Sequence, residues 1–311
     1  MQAKNIALFL LLCEQVCVSS PKYYSDQALT YMNSVSIVGD QDPVYFPKGA
    51  KYNRFQIGSI SKTFTGLLLA NAISSGLLNK DKLHRQSLID LATHGTNTSD
   101  GYAYSNLGFK TLGSHLAKVY GTSYLTALTE NILRELSLVF TGESSAKCHD
   151  YDYAFGCLTS NLADMSHYLK ALLTQCEISN SGNDSISEWL KTSNSIEYPI
   201  RKVRIADGGI IEHRINLHSE IISTENSKVF CHNGEIMGYK SFIAYSCSAE
   251  PKQSWGFVIW SSPEYSQKPI SGLAIEGFKR VKQNEWAKRF DLLRKNKNGN
   301  LLSICQGPQK D

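Results

Sequence analysis

The chain has 311 residues, 42% of them hydrophobic and 19% charged, with a formal net charge of +4. Those proportions are ordinary for a globular protein and supply one large domain or two small ones with a core that needs no staples. The basic residues crowd into the C-terminal stretch from Lys279-Arg280 to Arg294-Lys295-Asn296-Lys297. No basic and aromatic interleaving marks a recognition module, so nucleic acid is not an expected partner.

In chain order, Met1 to Lys4 carries one positive charge, Ile6 to Cys13 is apolar, and Val16 to Ser20 is small and neutral. That pattern reads as a short secretory signal over residues 1–20, giving a periplasmic or secreted protein. Glu14 and Pro21 depart from it, and without a signal the chain is cytoplasmic. No later run is long enough to span a bilayer. A short helix is expected over Asp26 to Asn33, then strands Val35–Val38 and Val44–Phe46 around the polar turn Gly39 to Pro43. From Ser59 an apolar helix runs to Gly76, followed by a short helix at Leu88 to Ala92 and a turn-rich loop from Thr93 to Gly101. Tyr104-Ser105-Asn106 opens a helix ending at Gly121. Thr122 or Ser123 caps another through Leu136, Thr159 or Ser160 caps one carrying Leu162, Met165, Leu169 and Leu172, and Asp184 to Lys191 is one more.

After residue 195 the pattern changes to strands. Lys228–Cys231, Lys240–Tyr245 and Trp255–Trp260 are expected strands, the last two a hairpin, before an amphipathic helix bearing Ile270, Leu273, Ala274, Phe278 and Val281. Strands at both chain ends with helices between them imply an α+β fold: an antiparallel sheet assembled from the two ends, with a helical lobe inserted. The corresponding division is a sheet lobe at 21–58 and 196–295, a helical lobe at 59–195, and a basic tail at 296–311. None of the eight cysteines is spaced as Cys-x-x-Cys, which leaves zinc-ribbon and thioredoxin chemistry unsupported. Cys148 with Cys157, or Cys231 with Cys247, are candidate disulfides.

Ser59 and Lys62 are the candidate catalytic pair. On a helix, positions three apart share a face, so the Lys62 amine can lean over the Ser59 hydroxyl. A serine needs a base to become a nucleophile, and a buried amine with a lowered pKa can be that base. The pattern Ser-x-x-Lys is loose, and Ser19/Lys22 and Ser144/Lys147 match it too. Only the Ser59 copy precedes an apolar helix, and a serine cap beside a solvated lysine is the plain alternative. Tyr104-Ser105-Asn106 adds a phenol that can relay a proton and an amide that can hold Lys62 and a substrate carbonyl. His232-Asn233-Gly234, directly after the strand Lys228–Cys231, adds a cation or donor on that strand edge facing the nucleophile and a glycine that admits a close backbone approach, with a structural histidine in a turn as the plain alternative.

In that order, Ser59-x-x-Lys62, Tyr104-Ser105-Asn106 and His232-x-Gly234 resemble the three motifs of the class C β-lactamase and serine D,D-peptidase superfamily. The run Phe55 to Gly66 is similar to that family's first block, and Gly156 to Met165 and Gly234 to Phe242 to later ones. The resemblance extends from about residue 30 to about residue 282. It implies a penicillin-binding fold in one serine hydrolase domain over 21–295, acting through an acyl-enzyme on Ser59. Lys62 and Tyr104 would share acid and base work, and the backbone N–H groups of Ser59 and Glu235 would form the oxyanion hole. Asn106, His232 and Gly234 would bind substrate. No cofactor or metal is implied, and no obligate protein partner. The implied substrates are D-Ala-D-Ala cell-wall peptides and penicillins, with ester or weak β-lactam hydrolysis as one alternative and a non-catalytic binding homologue as another.

Three departures shape what the structure must answer. Tyr104 follows Ser59 by 45 residues, a short interval for the family, because Leu78 to Asp100 is compressed. Histidine stands where lysine is commoner in the third motif, which counts against a dedicated β-lactamase. Glu235 stands where a small or hydroxyl residue is usual, and its carboxylate would repel a substrate carboxylate if it turned into the cleft.

Overall fold

The helix that follows Ser59 has no polar stripe, and a helix apolar on all sides has to run through the interior. In the computed structural model every residue from Ser61 to Ala70 is buried. The structure describes residues 32–79, 88–95, 101–144, 148–174, 185–204, 210–248, 250–263 and 270–288. Strands β1 (Met32–Val38) and β2 (Val44–Phe46) come first, and the two-residue β3 (Phe55–Gln56) leads into a 3-10 turn at Gly58–Ile60. The central helix α1 (Ser61–Ser74) continues that turn, followed by α2 (Leu88–Ala92), α3 (Asn106–Tyr120) and α4 (Tyr124–Leu128). After them come β4 (Thr159–Ser160), α5 (Leu162–Thr174) and α6 (Ser185–Asn194). The chain then returns to strands, β5 (Tyr198–Arg204), β6 (Ile210–Ile215), β7 (Glu220–Thr224), β8 (Ser227–Ile236), β9 (Tyr239–Ser246) and β10 (Trp255–Ser261), which α7 (Ile270–Arg280) follows.

Eight strands form one antiparallel sheet in the order β2-β1-β10-β9-β8-β7-β6-β5, while β3 and β4 pair separately. The first strands of the chain and the last thus meet near one edge of the sheet, where Val35 pairs with Val258. Because strand side chains alternate between faces, the sheet has two cores. Val35, Phe230, Ile243 and Val258 face the helical side with Phe64, Leu68, Leu116 and Tyr168. Phe242, Phe257 and Ile259 face α7, where Phe278 meets Phe257 edge to face at 5.2 Å between ring centroids. Gly66 lets α1 touch the main chain before β7: a Cβ there would overlap the Leu217 carbonyl.

The expected sheet with an inserted helical lobe is present, and so are the hairpin β9–β10 and the caps at Ser105 and Ser123. Other expectations need correction. Met32 and Asn33 belong to β1 rather than to a helix, and the rest of Asp26 to Asn33 lies outside the described residues, as do residues 1–20 and 296–311. Thr159 and Ser160 form β4, and the cap of α5 is Asn161, whose side-chain oxygen accepts the Asp164 N–H at 2.9 Å. The expected helix through Leu136 is α-helical to Leu128 and then widens into a π turn at Thr129–Leu133. Strands β5 to β7 were not expected, because their apolar alternation is broken by polar residues that the fold pairs internally. His213 and Glu220 are both buried and bonded at 2.8 Å. Cys148 and Cys157 are joined, but Cys231 keeps a free, buried thiol and is not the partner of Cys247. Among the described residues no helix is long and apolar enough to cross a membrane.

Candidate active site

Three elements bring the three motifs together. The turn Gly58–Ile60 carries Ser59 to the start of α1, and Lys62 lies in the first turn of that helix. Gly58 has a φ of 53°, in the left-handed region that glycine enters without strain. Its missing Cβ also matters, since a Cβ there would stand 2.7 Å from the Glu235 nitrogen. The converse contact comes from the strand, where a Cβ on Gly234 would overlap the Ile57 carbonyl and the Ser241 hydroxyl. Ser241 Oγ donates to that same carbonyl at 2.9 Å. Two glycines therefore let the serine turn lie directly on the backbone of β8.

Lys62 is 1% exposed. Its ammonium donors have three acceptors: Ser59 Oγ at 3.0 Å, Asn106 Oδ1 at 2.8 Å and the Phe155 carbonyl at 2.8 Å. The rings of Tyr104, Phe109 and Phe155 surround it, with the Tyr104 centroid at 4.8 Å. Burial holds the amine well below the ordinary lysine range. When the amine is neutral, Asn106 Oδ1 and the Phe155 carbonyl still take its two protons, because each can only accept. The lone pair is then left for the Ser59 hydroxyl. Tyr104 is buried, and its hydroxyl donates to Ser59 Oγ at 2.8 Å. Ser59 itself is half-buried, and Asn106 is exposed.

The strand expected to end at Cys231 continues through the motif to Ile236, so His232 lies inside β8. Beyond Cys231 the register with β7 stops while pairing with β9 goes on. The His232 Nδ1 donates to the Asn233 carbonyl at 2.7 Å. Burial lowers its pKa, a lowering that Glu220 opposes and Lys62 reinforces. Glu235 is exposed, and strand alternation assigns its direction. Phe230 and Ile236 pack with the helical side while Cys231 packs with α7. Glu235, like Cys231, is therefore on the face away from Ser59, and its carboxylate leaves the cleft free. Its backbone remains beside Gly58.

Two contributors were not visible in the sequence. The Phe155 carbonyl is a main-chain acceptor and leaves no mark in a side-chain pattern. His94 sits in what reads as a polar loop, yet it is buried and its Nδ1 accepts the Ser105 N–H at 3.0 Å. Of the other Ser-x-x-Lys matches, Ser144 is buried, and Lys147, Ser19 and Lys22 lie outside the described residues.

The buried histidines set an acid limit on stability. Burial pushes His218 down to about 3, and His94 and His232 also lie below the usual imidazole value. A folded pKa below the unfolded one leaves stability intact above about pH 6.5. Below it the unfolded chain binds protons that the fold refuses, so stability is lost as pH falls toward each folded pKa. Urea unfolding at pH 7.5 and pH 5 should show a loss of roughly 1 kcal/mol for each pH unit below about 6.5 from each of His94 and His218, with His232 adding in the same direction. Equal stability at both pH values would contradict the buried, neutral assignment.

A family model described as Beta-lactamase matches residues 34–270. No curated protein matches the sequence significantly. Among solved structures, a D-alanine carboxypeptidase from Burkholderia cenocepacia is similar with a TM-score of 0.59 at 15% identity, covering 82% of this chain and 93% of its own. A β-lactamase/D-alanine carboxypeptidase from Pseudomonas syringae gives 0.59 at 13% identity, with 84% and 94% covered. The octameric penicillin-binding protein homologue from Pyrococcus abyssi gives 0.62 at 18% identity, with 95% and 82% covered. At these identities the likeness is one of fold.

Proposed function

The chain belongs to the Beta-lactamase family, and on that premise we propose that it is an exported serine hydrolase of D,D-peptidase type, working through an acyl-enzyme on Ser59. The observation that carries this reading is the pair of hydrogen bonds on Ser59 Oγ, from a buried lysine at 3.0 Å and a buried tyrosine at 2.8 Å. A serine that merely capped a helix would have no use for either.

In the first step Ser59 Oγ attacks an acyl carbonyl carbon while its proton passes to the neutral Lys62 amine. Negative charge collects on the carbonyl oxygen, for which the N–H groups of Ser59 and Glu235 are the assigned donors. Collapse of that intermediate breaks the bond to the leaving group, which takes a proton relayed from Lys62 through Tyr104. Water then attacks the acyl-enzyme by the reverse proton route, releasing the acid and restoring Ser59. Asn106 holds Lys62 and presents its amide N–H₂ to the substrate. The outward face of Glu235 removes one objection to substrates that end in a carboxylate.

Export is supported by the Cys148–Cys157 disulfide, a bond that persists in oxidising compartments. A second reading, ester hydrolysis by the same route, is favoured by His232. Its Nδ1 is spent on the Asn233 carbonyl and burial favours its neutral form, so a carboxylate tail meets an imidazole rather than a fixed cation. The test is turnover of a D-Ala-D-Ala peptide, a chromogenic cephalosporin and p-nitrophenyl butyrate, each with Ser59→Ala as control. Fastest turnover of the peptide supports the first reading and of the butyrate the second. Folded protein that turns over none of the three is the outcome that defeats both.

A further inference from the structure

His94 takes no part in the proton route above, yet it meets three consecutive residues around Tyr104. It lies just after α2, with a φ of 54°. Its carbonyl accepts the Ala103 N–H at 2.8 Å. Its ring lies against the Tyr104 ring at 4.5 Å between centroids, the planes 30° apart. Its Nδ1 accepts the Ser105 N–H at 3.0 Å. Phe109 at 5.0 Å and Tyr102 at 5.7 Å close the sides of the imidazole. The next residue, Gly95, bridges to Tyr102 and donates its N–H to the Asp90 carbonyl, which ties this clasp to α2.

A tyrosine hydroxyl is placed by its backbone and by the plane of its ring, and His94 fixes both. Ser105 caps α3, so its own N–H lies outside the helix ladder and needs another acceptor. An aliphatic or phenyl side chain could fill the space but could not accept that proton. Resting on the reading of Ser59 and Tyr104 given above, we propose that His94 is a positioning residue: as the neutral Nε2–H tautomer it clasps residues 103–105 and keeps the Tyr104 hydroxyl on Ser59 Oγ. Burial, and then the neighbouring Lys62 and His232, hold His94 well below the ordinary imidazole range, which keeps Nδ1 free to accept.

The test combines a spectrum of the wild type with a double-mutant cycle. Imidazole ¹⁵N NMR of the wild type at pH 7.5 should show the Nε2–H tautomer for His94, and an Nδ1–H tautomer would overturn the clasp. The cycle uses the rate of hydrolysis of ethyl butyrate, whose departing alkoxide needs the proton assigned to Tyr104. His94→Phe, which keeps a ring and removes the acceptor, should slow it about tenfold to a hundredfold, the scale of a misplaced catalytic group. His94→Asn, which restores an acceptor near the Nδ1 position, should recover most of that loss. In a Tyr104→Phe background His94→Phe should cost little more, because His94 acts through that hydroxyl. The same loss in both backgrounds, or a fully active His94→Phe, would overturn the proposal while leaving the serine hydrolase reading intact. Folded wild type that reacts neither with the ester nor with a fluorophosphonate would overturn both. Where His94→Phe does not fold, the tautomer and His94→Asn still decide.

Discussion

Replacing Lys62 with methionine is expected to slow acylation of Ser59 roughly a thousandfold to ten-thousandfold, the upper part of the range for losing a general base. The substitution is close in volume, so the site keeps its shape. What it removes is the group whose lone pair can take the serine proton. Asn106 is exposed and can turn to water, whereas the Phe155 carbonyl loses a partner. That loss costs about 1–3 kcal/mol, set against relief from burying an amine, so the variant should fold. The wild type should acylate faster as pH rises through the lowered Lys62 pKa, because the neutral amine is the base. In Lys62→Met that limb should vanish. Stopped-flow reaction with a fluorophosphonate measures both, and a loss below tenfold would move the base elsewhere.

Tyr104→Phe should cost about a hundredfold. The variant keeps the ring, with its contacts to Lys62 and His94, and loses the hydroxyl that donates to Ser59 at 2.8 Å. Because the phenol is assigned the delivery of a proton to the leaving group, the loss should depend on what departs. A p-nitrophenolate leaves without help, whereas an alkoxide or amine needs the proton. Comparing p-nitrophenyl and ethyl esters of one acid measures this. An equal loss for the two would leave Tyr104 as a hydrogen-bond donor to Ser59 and not as the acid.

The parts of the site legible in the sequence were side chains whose roles follow from local spacing. Ser59 and Lys62 share a face of one helix turn, and Ser105 marks the start of α3, so motif and element agreed. The central sheet was legible where apolar residues cluster, at β1, the first half of β8, β9 and β10. It was hidden at β6 and β7, because His213 and Glu220 look like surface residues until they are seen to pair across buried strands. Glu235 was ambiguous for a different reason. Its direction depends on the phase of β8, and that phase is set by Phe230, Cys231 and Ile236 finding opposite cores. The Phe155 carbonyl and the His94 clasp depend on contacts between distant segments, which no local pattern carries.

The central claim is that Ser59 is a nucleophile, and it is tested most directly by covalent capture. Purified wild type and Ser59→Ala are incubated with a fluorophosphonate, then measured by intact mass and by peptide mapping. The account predicts a single phosphonyl adduct on Ser59 in the wild type and none in Ser59→Ala. A folded wild type without an adduct, or an adduct that persists in Ser59→Ala, would contradict it.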